Sequence, residues 1–211
     1  MTIMELINML TRWSHLLFGI TWIGLLYYFN FIQGGYFKAA SSEGLADAKA
    51  KLAPEALWWF RWGAMFTFLT GLILLEGVRQ QNVMNEFIVI GATMGTLMFL
   101  NVWLIIWPNQ KIALGMVEGD GAAAGGKALL ASRTNTLFSG PMAFCMLAGG
   151  HFGAWGNLSA HMNAMYAALA VVVLLEVNAI MGKQGPMTTV RGVIVSSLVL
   201  TGVIVAILQM V

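Results

Sequence analysis

The chain has 211 residues, of which 59% are hydrophobic and only 9% carry a charged side chain. A soluble domain usually has about 25% charged residues, so this composition excludes an ordinary soluble protein and indicates an integral membrane protein. The net charge of +2 is too small to favour a nucleic-acid partner. The single cysteine, Cys145, excludes an internal disulfide, a zinc-finger cluster and a CxxCH haem attachment.

Several apolar runs have the length of about 20 residues that is needed to cross the hydrocarbon core of a bilayer. They predict an all-α bundle of about six transmembrane helices, at Leu6–Gly34, Leu57–Val78, Met84–Trp107, Thr134–Trp155, Ala160–Met181 and Val190–Val211. The first run is too long for a cleavable signal peptide. We find no internal repeat, so residues 1–211 are expected to form a single transmembrane domain without a cytochrome c domain.

Polar stretches separate these spans. Three of them are predicted as loops: Ser41–Ala56, for which a loop with a short helix is the alternative, Asn109–Ser132 and Gly182–Thr189. The sequence GDGAAAGG within the second is expected to be flexible because it is rich in glycine. Pro141 is the only candidate for a break within a span, and transporters usually have broken helices, so a transporter is disfavoured.

The basic residues predict how the bundle is oriented. Only Arg12 and Arg79 fall on one side, whereas nine basic residues lie on or beside the first, third and fifth loops: Lys38, Lys49, Lys51, Arg61, Lys111, Lys127, Arg133, Lys183 and Arg191. Lysine and arginine are enriched in cytoplasmic loops. Both termini are therefore expected outside the cytoplasmic membrane of a bacterium.

This orientation places all three histidines toward the outer face, although they belong to three different helices. His15 lies in span one, His151 near the end of span four, and His161 at the start of span five. A polar side chain in hydrocarbon is costly and often functional. Small residues beside the histidines leave room for a flat macrocycle: Gly19, Gly149, Gly150, Gly153, Ala164 and Ala168.

A neutral imidazole is a good ligand for haem iron and for copper. The histidines therefore predict a haem b held by two of them, with copper as the alternative, and a redox site toward the outer face. His15 and His151 are the predicted axial ligands, and His161 is the alternative. The simpler interpretation is that His151 and His161 are interfacial residues that cap a short loop.

Other residues have two interpretations each. Arg12 and Arg79 are expected to meet haem propionates, but Arg79 is also three residues from Glu76 and would pair with it on one helix face. Four methionines could supply an axial ligand or simply pack: Met94, Met146, Met162 and Met165.

A second polar group lies toward the inner face: Asn30, Arg61, Asn101, Arg133, Asn135, Glu176 and Asn178. It is interpreted as structural pairing with snorkelling arginines, or as a proton path or the mouth of a substrate site. The chain has no Walker loop, GxGxxG, GxSxG or HExxH, which leaves a nucleotide-driven pump or an ordinary hydrolase without support.

Four segments resemble the membrane domain of the bacterial cytochrome-c-linked urate oxidase (urate hydroxylase) family: RWSHLLFGITWIGLLYYFNFIQ (Arg12–Gln33), WWFRWGAMFTFLTGLILL (Trp58–Leu75), NVWLIIWPNQK (Asn101–Lys111) and SRTNTLFSGPMAFCMLAGGH (Ser132–His151). The resemblance covers most of the chain and weakens after His161. Span one also resembles, more distantly, the copper-resistance D and haem-dependent protoporphyrinogen oxidase superfamily. The resemblance implies a membrane-bound oxidoreductase in which His15 and His151 match family histidines.

The chain departs from the family pattern in two places. The full urate oxidase carries a C-terminal c-type cytochrome, whereas this sequence has no CxxCH, so electrons are expected to pass to a separate c-type cytochrome or another acceptor. Thr134 stands where the family pattern has a histidine. If that histidine serves urate chemistry, the chain keeps the fold and the redox centre but not the substrate, so urate is a lead rather than a conclusion. The alternative function is a structural or copper-handling subunit, and association with copies of itself or with a larger membrane complex is expected.

Overall fold

The computed structural model of the chain describes residues 2–152 and 162–210, and this part contains helices and turns but no strand. The α-helices, in chain order, are α1 Ile3–Tyr27, α2 Gly34–Ala39, α3 Ser42–Asp47, α4 Ala53–Gln80, α5 Glu86–Leu100, α6 Trp107–Ala113, α7 Gly121–His151, α8 Met162–Met181 and α9 Val190–Met210. The predicted all-α fold is therefore confirmed.

Three π-helical segments join consecutive helices into longer ones. Tyr28–Gln33 joins α1 to α2, Ala48–Leu52 joins α3 to α4, and Asn101–Ile106 joins α5 to α6. A π segment closes hydrogen bonds over five residues, so it leaves the chain helical while it shifts the face on which the next residues lie.

Five of the resulting helices are long and apolar enough to cross a membrane: Ile3–Ala39, Ser42–Gln80, Glu86–Ala113, Met162–Met181 and Val190–Met210. They agree with five of the six predicted spans. Large apolar side chains point outward from them, such as Leu174, which is 70% exposed, and Leu198, which is 67% exposed. Apolar exposure on this scale indicates contact with lipid.

The fourth predicted span lies on α7, which is long but more polar than the other five. Residues 131–139 are all buried, and six of them are polar: Ser132, Arg133, Thr134, Asn135, Thr136 and Ser139. The helix continues through Pro141, which was the only candidate for a break within a span. A proline removes one backbone hydrogen bond, and buried helices tolerate this loss when neighbouring groups pack around them. The predicted end of the span, Trp155, lies outside the described residues.

Two predicted loops are largely helical. Ser41 caps α3, because its Oγ accepts from the Gly44 amide at 3.2 Å. Asp120 caps α7, because its Oδ1 accepts from the amides of Ala122 and Ala123, each at 3.0 Å. The GDGAAAGG segment therefore begins a helix rather than a flexible loop. The alanines favour a helix, and the capping carboxylate satisfies amides that would otherwise lack partners.

The chain divides into two compact units, which are described separately. The first unit consists of Met1–Leu74 and Phe99–Ser132. In it α1 runs antiparallel to α4: a Cβ on Gly63 would meet the backbone of Trp22, whereas His15, earlier in α1, contacts Thr70, later in α4. Helix α4 also packs on the segment after α5, where the rings of Trp62 and Trp103 are 5.7 Å apart.

The second unit consists of Leu75–Met98 and Arg133–Val211. Helices approach closely at glycines, as is common in membrane bundles. A Cβ on Gly91 of α5 would lie 3.1 Å from Cys145 Cβ of α7. Polar side chains also join these two helices, since Asn135 Nδ2 donates to the Met98 carbonyl at 2.9 Å and Asn85 Nδ2 donates to the Gly149 carbonyl at 2.9 Å.

Candidate functional site

His15 is a half-buried imidazole of the first unit, and its hydrogen bond to α4 determines its tautomer. His15 Nδ1 lies 3.0 Å from Thr70 Oγ1. The same hydroxyl lies 2.6 Å from the Phe66 carbonyl oxygen, which cannot donate, so the hydroxyl hydrogen belongs to that bond. His15 Nδ1 must therefore donate to Thr70, which leaves an unprotonated Nε2 with a lone pair free to bind a metal.

Gly71 provides the space for this ring. A Cβ at Gly71 would lie 3.2 Å from His15 Cε1 and 3.6 Å from Nδ1. On the other side of the histidine, a Cβ at Gly19 would meet only Thr67 Cγ2, at 3.9 Å. No motif in the sequence marks Thr70 or Gly71. Their only signal is a hydroxyl and a missing side chain, side by side within the apolar run FLTGLILL.

His151 is an exposed residue at the C-terminal end of α7, in the second unit. Its Nδ1 lies 2.9 Å from the Leu147 carbonyl oxygen, one turn earlier. A carbonyl only accepts, so Nδ1 carries the proton and Nε2 again presents a lone pair. The third predicted ligand, His161, and the neighbouring Gly153 lie outside the described residues.

The small residues predicted to make room beside these histidines differ from one another. Gly150 has open space where a Cβ would be, but the corresponding space at Gly149 is filled by the Ile88 side chain. Ala164 and Ala168 are fully buried in the packing of the second unit. Gly149, Ala164 and Ala168 therefore serve helix packing, Gly150 retains open space, and a Cβ at Gly19 would only touch Thr67.

Arg12 and Arg79 both have partners on their own helices. The Arg12 Nε donates to Asn8 Oδ1 at 2.9 Å. Arg79 holds Glu76 through two hydrogen bonds of 2.7 Å and 2.6 Å, which confirms the predicted ion pair. Both arginines are exposed, and their roles toward propionates stay predictions.

The methionines that were candidate ligands differ in burial within the part that is described. Met94 and Met165 are buried in the second unit, whereas Met162 is 39% exposed. Among residues 2–152 and 162–210, no group of three or more histidine, cysteine, aspartate or glutamate side chains could hold a metal ion.

Several members of the inner polar group make contacts within their own unit. Asn30 is 4% exposed, and its Nδ2 donates to the Leu26 carbonyl at 2.9 Å and to Ser132 Oγ at 2.8 Å. The Arg61 guanidinium lies 4.0 Å from the centre of the Trp107 ring, a cation–π contact. Asn178, also in this group, has its side chain bonded to the Lys183 carbonyl at 3.0 Å.

Comparison with known proteins identifies the family. The profile of the family described as urate oxidase N-terminal matches residues 78–209 of the chain. The match begins after two of the segments that carry the resemblance, Arg12–Gln33 and Trp58–Leu75, and it continues beyond His161. Searches of curated proteins and of solved structures found no match. Because the profile covers more than half of the sequence, the chain belongs to the urate oxidase N-terminal family.

Proposed function

We propose that the chain is a membrane haem b redox protein, acting as an oxidoreductase or an electron relay in the bacterial cytoplasmic membrane. The observation that carries the proposal is the Nδ1–H bond from His15 to Thr70, which leaves Nε2 as a ligand atom on a ring with a defined orientation. Membership of an oxidase family supports a redox role. A bound haem b would supply one-electron chemistry.

The residues of the chain would hold and orient this group. His15 Nε2 would bind the iron, and Thr70 and Gly71 would keep the imidazole from turning. His151 of the second unit also presents an unprotonated Nε2, and it stays the predicted second ligand, with His161 as the alternative. Arg12 donates to Asn8 through Nε, and Arg79 donates to Glu76 through Nε and Nη2, so each would meet a propionate with its remaining N–H groups.

An absorbance spectrum tests the proposal directly. Protein purified after expression with excess haem should be red, with a Soret band that shifts on reduction by dithionite. A colourless protein under these conditions contradicts the proposal. Metal analysis of the same sample separates the second candidate, a structural or copper-handling subunit, because the His15 Nε2 lone pair would also bind copper. Copper without haem would favour that candidate.

The electron acceptor and the substrate are part of the proposal. A separate c-type cytochrome is the proposed acceptor, with the redox site toward the outer face. Urate is the first substrate to try because of the family, although Thr134 stands where the resemblance places a histidine. Stopped-flow reoxidation of the reduced protein by a c-type cytochrome, compared with reoxidation by buffer oxygen alone, would measure this transfer.

Thr70 offers a milder test of the same site. Thr70→Val removes the hydroxyl that accepts from His15, whereas Thr70→Ser keeps it. Loss of such a supporting hydrogen bond typically lowers metal affinity by about 10- to 100-fold. We expect haem titration of the Thr70→Val apoprotein to show a weakening of this size and Thr70→Ser to bind like the unmodified protein. Equal affinities for Val and Ser would show that the hydroxyl does not orient the ligand.

A further inference from the structure

The first unit contains five buried polar atoms that have no hydrogen-bond partner among the described residues: Trp22 Nε1, Asn30 Oδ1, Gln33 Oε1, Arg61 Nη1 and Trp103 Nε1. Leaving such an atom unsatisfied destabilises the fold, because the atom has lost its bonds to water and gained none in the protein. Buried polar atoms in natural proteins nearly always have partners, so a group of five in one unit calls for an explanation. A bound ligand would supply the missing partners.

Three of these atoms belong to π-helical segments. Asn30 and Gln33 lie in the segment Tyr28–Gln33, and Trp103 lies in Asn101–Ile106. π-helical turns are uncommon, and within α-helices they occur frequently at functional sites. Two such segments lie in this unit, and each carries buried polar atoms without partners. The π-helical segments therefore also indicate a functional site here.

Ring contacts show that these side chains lie at a similar level of the unit. The contacts have centroid distances of 5.4 Å and 5.7 Å: Phe29–Phe60 and Trp62–Trp103. Arg61 lies between Phe60 and Trp62 in the chain, and Asn30 follows Phe29. Gln33 is one turn beyond Asn30, whereas Trp22 is two turns away. The compact set is therefore Asn30, Gln33, Arg61 and Trp103.

This set offers two donors and two acceptors. Arg61 Nη1 and Trp103 Nε1 need acceptors, whereas Asn30 Oδ1 and Gln33 Oε1 need donors. A quinone ring presents two carbonyl acceptors, and its reduced form presents two hydroxyl donors. One ligand could thus satisfy either pair of side chains, depending on its oxidation state.

The surroundings suit such a ligand. The indole rings of Trp62 and Trp103, set at 80° to each other, give flat apolar walls. The same helical stretches expose Ile32, 61% exposed, and Leu104, 68% exposed, which would contact an isoprenoid tail in the bilayer. We propose that the first unit binds a membrane quinone and its quinol at Asn30, Gln33, Arg61 and Trp103.

Two variants remove one predicted bond each. Trp103→Phe keeps an aromatic ring and removes the donor, and Gln33→Leu keeps the volume and removes the acceptor. Trp59→Phe is the matched control, because Trp59 is exposed and its Nε1 already donates to Glu55 at 3.2 Å. Decylubiquinone and decylubiquinol would be titrated separately into the full-length protein in lipid nanodiscs, by calorimetry.

The expected result is saturable binding of both forms. Trp103→Phe should weaken the quinone about tenfold more than the quinol, and Gln33→Leu should do the reverse, since each loses about one hydrogen bond. Without ligand, Trp103→Phe loses ring area against Trp62, so its thermal midpoint reports packing and the comparison of quinone with quinol reports the N–H.

Three results would overturn the proposal: no saturable binding of either form, equal weakening of both forms by each variant, or the same weakening in Trp59→Phe. Binding of urate at this set in competition with the quinone would replace it with a substrate site. The measurement needs no haem, so a colourless protein would end the haem proposal and leave the quinone titration intact.

Discussion

Protein carrying His15→Ala is expected to lose the Soret band that the unmodified protein shows after expression with excess haem. The physical reason is that His15 Nε2 is the proposed ligand atom of the first unit and that no second imidazole stands on its helix. Absorbance of the purified variant at equal protein concentration, before and after reduction, measures the effect. His151→Ala tests the predicted second ligand in the same way.

Leu16→Ala is the control for this experiment, since Leu16 is the next residue of α1 and is 61% exposed. Its spectrum should match that of the unmodified protein. A second arm uses His15→Gly with added imidazole, which can donate to Thr70 from the vacated space and should restore part of the band. An unchanged spectrum in both His15→Ala and His151→Ala would reject the ligand assignment.

The sequence predicts the membrane helices because their signal is local. A run of apolar residues is visible without any knowledge of neighbours, and five of the predicted spans correspond to helices able to cross a membrane. The prediction of a loop over Asn109–Ser132 is wrong for most of this segment. Its glycines favour a loop, but the Asp120 carboxylate caps a helix and the alanines after it favour that helix. In this case the helix propensity of alanine prevails.

The site is less predictable because its geometry depends on which helices meet. His15 stands out in a sequence because an imidazole in an apolar run is unusual, but its partner is 55 residues away in the chain. Nothing near Thr70 or Gly71 distinguishes them from packing residues. The π-helical segments leave no trace either, since one extra residue per turn does not disturb the average apolar pattern of a membrane helix.

The contact between α1 and α4 determines the position of His15, and Gly63 is the residue that allows it. A Cβ at Gly63 would lie 3.2 Å from the Trp22 nitrogen, 3.4 Å from its Cα and 3.5 Å from the Phe18 carbonyl oxygen. All three neighbours are backbone atoms, which cannot rotate away as a side chain can. Gly63→Ala must therefore displace one helix, and overpacking of this kind typically costs about 1–3 kcal/mol.

We expect Gly63→Ala to lower the thermal midpoint of the detergent-solubilised protein by several degrees, measured by circular dichroism, and Gly63→Leu to prevent folding. Gly24→Ala is the matched control on α1, because a Cβ there meets nothing within 4 Å. It should leave the midpoint unchanged or raise it, since alanine is the better helix former. Displacing α1 also lengthens the bond from His15 to Thr70, so Gly63→Ala should weaken haem binding as well. Equal midpoints for Gly63→Ala and Gly24→Ala would mean that α1 and α4 do not meet at Gly63. The orientation inferred for the His15 ring, which depends on this contact, would then be wrong as well.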